Sequence, residues 1–526
     1  MNATHIVNHK AASPRNRTTL LLLGLILLLA ATLRFYHLGT ESFSYDEGIM
    51  IDVTGSLDNV IANVAKGRPP LIVIAGYIWV NIFGDTEAAT RSLSAVTGVI
   101  SIWLLYAVGR DLFNKRVGLI AALLMSISIF HIFYSQDYRY YGLLGFTSLL
   151  SFYFYAKALK TERTIYFIMY PISAAAVFYA HYHGAFVLLA QGIYFLLQWY
   201  KYRPRTRLYW FCTQIAIVLL ISPSIYRLGM DYLAGASNGD FSGSLGVLGN
   251  GGPLRTMPLW LPIHTLLIGY LFITIDNVLN LPYLVLSIGV IAISTLMYAW
   301  RQGFSQWMAQ FTSVGTEIKA FAHKSSELIL LGCWLLIPVI TPFLISVLWK
   351  PIYMPRYTIG ALPALCLIVA LLLTTIRRVV PEIIPLIALA IMIVPGLEQY
   401  YTHDLKEQWP EVAKQITSQV QPDDGIVFVS INNEPAARIQ STFNRYFATQ
   451  LPECLVDAGL NGPDQALPEL NSCGANMQRI WFISRVSKDD DQATIQKLFF
   501  APSESPWHIQ QEQAYTGLVV RLLTPQ

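Results

Sequence analysis

Asp46 and Glu47, within Phe43-Ser44-Tyr45-Asp46-Glu47-Gly48, are adjacent carboxylates just past the first long apolar run. Charge held beside hydrocarbon is costly unless it is used or neutralised, so Asp46 is read as a general base. Four further polar stretches follow: Lys66-Gly67-Arg68-Pro69-Pro70, Gln136-Asp137-Tyr138-Arg139-Tyr140-Tyr141, His181-Tyr182-His183, and the segment from Trp349 through Tyr353 and Arg356 to Tyr357. A carboxylate that takes a proton from a hydroxyl or amine, while cations hold a phosphate leaving group, is what glycosyl transfer from a lipid phosphate requires. Arg68, Arg139 and Arg356 suit the phosphate because a planar guanidinium donates two parallel hydrogen bonds. On this reading Asp46, Glu47 and Asp137 are the catalytic candidates, and Tyr45, Tyr138, Tyr141, His181, His183 and Tyr353 line the substrate pocket.

Each group also has a purely structural use. Asp46 and Glu47 suit the first turn of an interfacial helix, where acids oppose the helix dipole. Arg68 and Arg139 suit snorkelling or pairing with nearby acids, and Arg356 suits a lipid headgroup. His181 and His183 lack a third ligand at metal spacing, and the tyrosines suit an aromatic belt at the membrane surface.

Hydrophobic residues are 54% of the 526 and charged residues only 13%, with repeated apolar runs of spanning length, so the chain reads as a polytopic α-helical membrane protein. Before residue 400 there are 27 Lys and Arg against 17 Asp and Glu; from there on, 9 against 15. A basic membrane part (residues 19–399, after an N-tail of 1–18) and an acidic tail (400–526) are expected. The cations are scattered through short loops and form no stripe, which excludes a nucleic-acid surface.

Spans read at about 19–36, 92–109, 117–134, 141–156, 164–180, 184–200, 208–226, 282–300, 327–348, 357–376 and 379–397. That makes about eleven, and thirteen at most. Leu71 to Phe83 is too short to cross and fits an interfacial helix of the first external loop. The apolar stretch 260–275, which contains Pro262 and His264, is not counted, because a cytoplasmic loop at 301–326 leaves room for only one crossing after residue 226. Lys and Arg concentrate in the N-tail and in alternate loops (Arg110, Lys115 and Arg116; Lys157, Lys160 and Arg163; Lys201 to Arg207; Arg301, Lys319 and Lys324; Arg377 and Arg378). The positive-inside rule then places the N-terminus in the cytoplasm, the tail outside it, and every polar stretch named above on the outer side of a plasma (inner) membrane.

The tail opens with the helical pattern Trp409, Val412, Ile416 and Val420. The strand-like runs 426–431, 480–483 and 518–523 follow, separated by helical patterns, as in a small α/β domain. No Gly-rich phosphate loop or metal-ligand spacing assigns it chemistry. Cys212, Cys333 and Cys366 lie in apolar runs and read as small buried hydrophobes. Cys454 and Cys473 lie in the tail and are a disulfide candidate if it is extracytoplasmic.

The order of these motifs resembles the C-type glycosyltransferases of the branch that includes the protein O-mannosyltransferases and the lipid A aminoarabinose transferases. The resemblance rests on Asp46-Glu47, Arg68-Pro69-Pro70-Leu71, Arg91, the run Tyr134 to Tyr141, His181-Tyr182-His183-Gly184 and Pro355-Arg356-Tyr357, and covers about residues 19–430. It implies an inverting transferase with a polyprenyl-phosphate sugar donor and a lipid, glycan or protein acceptor. In that family Asp46 matches the proposed base, Asp137 the second acid, and Arg68 the cation on donor phosphate. Gly67 stands where the lipid A branch has an acid linked to metal binding, so no cofactor is required and a divalent metal is left open. Gln136 stands where relatives usually have arginine. The competing expectation is a lipid or sugar transporter or flippase without covalent chemistry, against which the chain shows no repeat of halves.

Overall fold

The computed structural model describes residues 14–233, 292–298, 325–376, 383–431, 434–475, 477–486, 489–500 and 505–525, with isolated positions besides. The stretch 260–275, most of 282–300, and the cations Lys319, Lys324, Arg377 and Arg378 lie outside the described residues.

Leucine-rich sequence makes the first helix, α1 (Pro14–Phe35), whose Leu21, Leu25 and Leu28 face outward. The segment between α1 and the next long helix folds into three short helices, α2 (Tyr45–Thr54), α3 (Leu57–Ala65) and α4 (Pro70–Phe83). Then come α5 (Glu87–Leu112), α6 (Lys115–Ile127), α7 (Ile129–Ser135), α8 (Tyr140–Thr161), α9 (Thr164–Ala180), α10 (Gly184–Leu197) and α11 (Pro204–Leu233). Helices α12 (Ser325–Leu348), α13 (Leu362–Ile376) and α14 (Ile383–Thr402) lie further along the chain. Among the described residues six helices are long and apolar enough to cross a membrane, or seven with the bent pair α6 and α7. The chain is an integral membrane protein. Helix α4, at 14 residues, is one of three shorter apolar helices, with α9 and α10. Cys366 is buried as expected, but Cys212 sits exposed on the outward face of α11.

The 65° bend between α6 and α7 has a local cause. Ser128 leaves helical geometry with ψ 116° and caps α7, which frees carbonyls at the end of α6. The fully buried Arg34 of α1 donates to two of them, Ser126 O at 3.0 Å and Met125 O at 3.2 Å, and to His131 Nδ1 at 2.8 Å. Carbonyls left bare at that depth would each cost several kcal/mol, so the arginine stabilises the kink that aims the α7–α8 turn at the site.

The tail is an α/β domain with one five-stranded sheet in the order β2-β1-β3-β5-β4. Strands β1 (Asp424–Val429), β2 (Glu453–Val456) and β3 (Arg479–Arg485) are parallel; β5 (Leu518–Pro525) runs antiparallel to β3, and β4 (Trp507–Tyr515) to β5. Strands β2 and β4 were not expected from the sequence: β2 has four residues, and β4 is a polar edge strand. Helices α15 (Trp409–Gln419) and α16 (Ala437–Phe443) cover one face of the sheet. Val412 and Ile416 of α15 are buried as their spacing required, while Val420 falls just past its end. Cys454 and Cys473 are joined by a disulfide, with Cα atoms 5.7 Å apart.

This domain is fastened to the segment that carries α2, α3 and α4. Tyr45 of α2 belongs to the domain's own apolar core, beside Trp409, Phe428 and Ile483. Trp409 donates to Phe43 O at 2.9 Å, Tyr446 donates to Glu87 at 2.6 Å, and Ser441 donates to Asp52 at 2.6 Å. Gly48 meets α16 so closely that a Cβ there would lie 2.2 Å from Thr442 Oγ1.

Candidate active site

Ser44 starts α2 with a capping box: its hydroxyl accepts from Glu47 N, and Glu47 Oε2 accepts from Ser44 N at 2.9 Å. Glu47 does much more than cap. Arg91 of α5 donates to both its oxygens at 2.9 Å, Lys406 reaches both at 3.0 and 2.9 Å, and Tyr138 N donates to Oε1 at 2.9 Å. Glu47 is fully buried. Burial would raise its pKa, but Arg91 and Lys406 overcome that and hold it far below the usual carboxylate range. With every lone pair engaged, Glu47 is a junction between α2, α5, the α7–α8 turn and the start of the tail.

Asp46, one residue earlier, points elsewhere and retains about a third of its side-chain exposure (34%). It forms an ion pair with Arg139 Nη1. Burial pushes its carboxyl up, but the nearby charges of Arg139, Arg485 and Arg356 carry it below the ordinary value. Arg139 itself is held well above its usual range: its burial is outweighed by Asp46.

Arg139 and Arg356 converge on one aromatic ring. Their guanidinium carbons lie 5.4 and 5.7 Å from the Tyr141 ring centre, and Arg356 also lies 5.6 Å from Tyr357. Arg356 has no acidic partner within ion-pair distance among the described residues, and its buried Nε has no hydrogen-bond acceptor; the Nε of Arg139 likewise has none. Buried guanidinium N–H groups without acceptors are a site for an anion.

Behind this pair stand His181 and His183, each 4.6 and 4.5 Å from the Tyr357 ring, respectively. His183 Nε2 faces Ile352 O at 2.8 Å, and its buried Nδ1 has no partner. Burial lowers His183 to about 4 and His181 well below its ordinary value, so both are neutral at pH 7. Arg68 lies half-buried and donates to Tyr140 Oη at 3.4 Å, and the Tyr140 ring meets His181 at 5.8 Å. Gly67 needs its glycine: φ is 84°, and its carbonyl accepts from Tyr182 at 2.8 Å.

Asp137 is buried beside Glu47 and Asp46. Burial, then the Glu47 charge, pushes it up to about 6 against the opposing pull of Lys406 and Arg139. Its backbone carbonyl accepts from Ser94 at 2.8 Å. Gln136 is a clamp, donating to Arg34 O at 3.1 Å and Tyr36 O at 2.8 Å and accepting from Tyr400 at 2.5 Å.

Tyr138, Tyr353 and Tyr45, also expected in the pocket, are buried as deeply as Tyr141, His181 and His183. Tyr138 is fully buried and donates to Thr54 Oγ1 at 3.1 Å. Tyr353 packs its ring against Phe343, while its backbone N–H donates to Ser346 at 2.7 Å. Tyr45 is roofed by Arg485, whose guanidinium lies 4.4 Å from its ring centre. The tail supplies groups that the sequence reading missed: Lys406, Arg485, and Glu407, which accepts from Arg485 and from Tyr45 N. Lys406 and Glu407 stand just before Trp409, the first mark of the tail, which was the available signal.

Among the described residues no three His, Cys, Asp or Glu side chains gather to hold a metal ion. The acids that do approach one another, Asp46, Glu47 and Asp137, are interleaved with Arg139, Arg91 and Lys406.

Residues 67–226 match the family described as dolichyl-phosphate-mannose-protein mannosyltransferase. No curated protein matches the chain by sequence. In fold the chain is similar to ArnT from Cupriavidus metallidurans, at TM-score 0.57 and 12% identity in the apo state, covering 97% of this chain and 98% of that one. The same enzyme bound to undecaprenyl phosphate gives 0.54 and 13%, with the same coverage. The oligosaccharyltransferase from Archaeoglobus fulgidus gives 0.51 and 14%, over 91% of this chain and 71% of that one. The chain is thus similar in sequence, over residues 67–226, to the dolichyl-phosphate-mannose-protein mannosyltransferase family, and in fold, over nearly its whole length, to ArnT.

Proposed function

We propose that the protein is a membrane glycosyltransferase that moves a sugar from a polyprenyl-phosphate donor to an acceptor on the outer face of the inner membrane, with inversion at the anomeric carbon. The observation that carries this reading is the pair of guanidinium groups over Tyr141, one of them without an acidic partner among the described residues, beside the partly exposed carboxylate of Asp46. That the fold is shared with a protein bound to undecaprenyl phosphate supports the same donor class. The N-terminus lies in the cytoplasm and the α/β domain outside it, as the loop charges require.

In the reaction Arg139 and Arg356 hold the donor phosphate. The acceptor O–H gives its proton to Asp46 as its oxygen bonds to the anomeric carbon from the face opposite the phosphate. The bond from that carbon to the phosphate oxygen breaks, and polyprenyl phosphate leaves with the electron pair, its charge held by the two guanidinium groups. The resting ion pair matters here. Donor phosphate competes with Asp46 for Arg139, and a carboxylate that loses a cation becomes more basic. The base is thus freed when the donor binds.

The test is transfer of labelled sugar by the purified protein from a polyprenyl-phosphate sugar to washed membranes of a strain lacking it. Product of inverted configuration is expected. Movement of intact donor across vesicles with no covalent product would make the protein a carrier instead.

A further inference from the structure

Helix α9 touches α11 near both of its own ends and leaves a groove between. At its start the rings of Phe167 and Tyr209 meet at 5.3 Å, and at its close Tyr179 donates to Leu220 O. Between these contacts α11 offers the small side chains of Cys212 and Ala216, one turn apart, and Pro171 and Ile172 of α9 share the lining. The groove measures about 510 Å³ and is lined mainly by apolar side chains, with Ile168, Ile172 and Leu219 exposed along it. An open apolar furrow on the outside of a membrane protein faces lipid tails.

One end of the groove, where Thr164 and Tyr209 stand, is cationic. The Arg205 guanidinium lies 5.2 Å from the Tyr209 ring centre, and its Nε and Nη2 donate to the Tyr209 hydroxyl at 3.0 and 2.8 Å, which leaves Nη1 free to bind. Arg163, exposed just before Thr164, does not cap α9 with its side chain, so the first N–H groups of that helix add their positive end. Neither arginine has an acidic partner within ion-pair distance among the described residues. Between residues 160 and 207 the one acid is Glu162, and it is engaged by Arg203 at 3.8 Å and by Thr206 at 2.7 Å. Trp199 and the almost fully exposed Tyr200 precede α11 at this end, as aromatic side chains do at the level of lipid headgroups.

We propose that this groove binds a phospholipid of the cytoplasmic leaflet with a net negative headgroup, one acyl chain lying between α9 and α11 and the phosphate held by Arg163 and Arg205. The loop charges assign this end to the cytoplasmic side. A headgroup without an amine is favoured because the amine of a zwitterionic lipid would meet the same cations. His181 and His183 follow the other end of α9, about 25 Å of helix away, so the lipid sits at the membrane face opposite Asp46 and is not the sugar donor. The assignment stands whether or not the protein transfers sugar.

The experiment measures, by native mass spectrometry of the full-length protein in detergent, the binding of phosphatidylglycerol and phosphatidylcholine matched in their acyl chains. The wild type is expected to bind phosphatidylglycerol more tightly by about fivefold or more, and R163A and R205A each to lower that affinity about fivefold, the contribution of one cation at an anionic headgroup, while shifting phosphatidylcholine less. A216F fills the groove and is expected to weaken both lipids, and C212F serves in its place if A216F fails to fold. In every variant the affinity for polyprenyl phosphate, which reads the opposite face, stays at the wild-type level. Equal affinity of the wild type for the two lipids, or phosphatidylglycerol binding unmoved in R163A and R205A, overturns the headgroup assignment. Binding unmoved by a folded groove-filling variant overturns the place of the chain. Displacement of phosphatidylglycerol by polyprenyl phosphate would give the groove to the donor instead, and oxidative cross-linking of Cys212 to Cys212 of a second copy in native membranes would give it to an interface between copies; either result overturns the proposal.

Discussion

Replacing Glu47 with glutamine separates framework from chemistry. Glu47 is fully buried, and its two cationic partners, Arg91 and Lys406, expose 2% and 9% of their side chains. The amide keeps the shape but removes the charge, and its N–H group would point at donors that have nowhere else to turn. Removing one partner of a buried pair costs about 3–5 kcal/mol because the survivor stays buried and uncompensated, and here two cations survive. That is a large part of the roughly 5–15 kcal/mol that holds a folded domain together. The assay is thermal unfolding of the purified protein followed by size-exclusion fluorescence, with polyprenyl-phosphate binding measured on the folded fraction. Glu47→Gln is expected to lower yield and melting temperature sharply, and the molecules that remain folded bind polyprenyl phosphate as the wild type does. A variant as stable as the wild type but unable to transfer sugar would refute the framework role and return Glu47 to the chemistry.

Three other consequences can be measured. Asp137 is pushed up to about 6 by burial and by Glu47, above the ordinary aspartate value. Between the unfolded pKa of about 3.9 and that folded value the native state keeps a proton that the unfolded chain has lost, so stability falls as pH rises through the window and levels off above it. In Asp137→Asn the melting temperature should not fall across that window, and an unchanged slope would clear Asp137 of it. Gly48→Val would drive a side chain into Thr442 and part α2 from α16, so protease nicking between the membrane part and the domain should rise; a resistant variant would contradict the packing. The disulfide closes a sequence separation of 19, which limits its contribution to about 3 kcal/mol. Cys473→Ser should therefore lower the domain's melting temperature without changing polyprenyl-phosphate affinity, and an unaltered melt would count against it.

Much of this arrangement is legible in the sequence because its signals are local. Ser44 and Glu47 spell a capping box, the α4 run is too short to cross, and Val412 and Ile416 mark the buried face of α15. The polar stretches also named elements that meet, since Arg139, Arg356 and His181 all lie against the Tyr141 ring. What the sequence hides is pairing at long range. Glu47 and Asp46 look equivalent as neighbours, but one helical position turns Glu47 into Arg91 and Lys406 and leaves Asp46 facing Arg139. Lys406 lies 359 residues from its partner, and no periodicity reports that. Tyr138 and Tyr141 read alike and both are buried, but the Tyr138 hydroxyl bonds Thr54 while the Tyr141 ring lies beside Arg139 and Arg356. Arg485 is likewise one cation at a strand end, and nothing local in the sequence reports that it lies over the Tyr45 ring.

The most direct test of the central claim, an acceptor-activating carboxylate paired with a phosphate-binding arginine, is to measure transfer and polyprenyl-phosphate affinity together in Asp46→Asn. Loss of the base predicts transfer slower by about 10²–10⁴-fold. Loss of the competitor for Arg139 predicts polyprenyl phosphate bound as tightly as by the wild type or up to about fivefold tighter, the worth of a partly exposed ion pair of roughly 1 kcal/mol. Undiminished transfer, or slow transfer accompanied by weakened polyprenyl-phosphate binding, would contradict it.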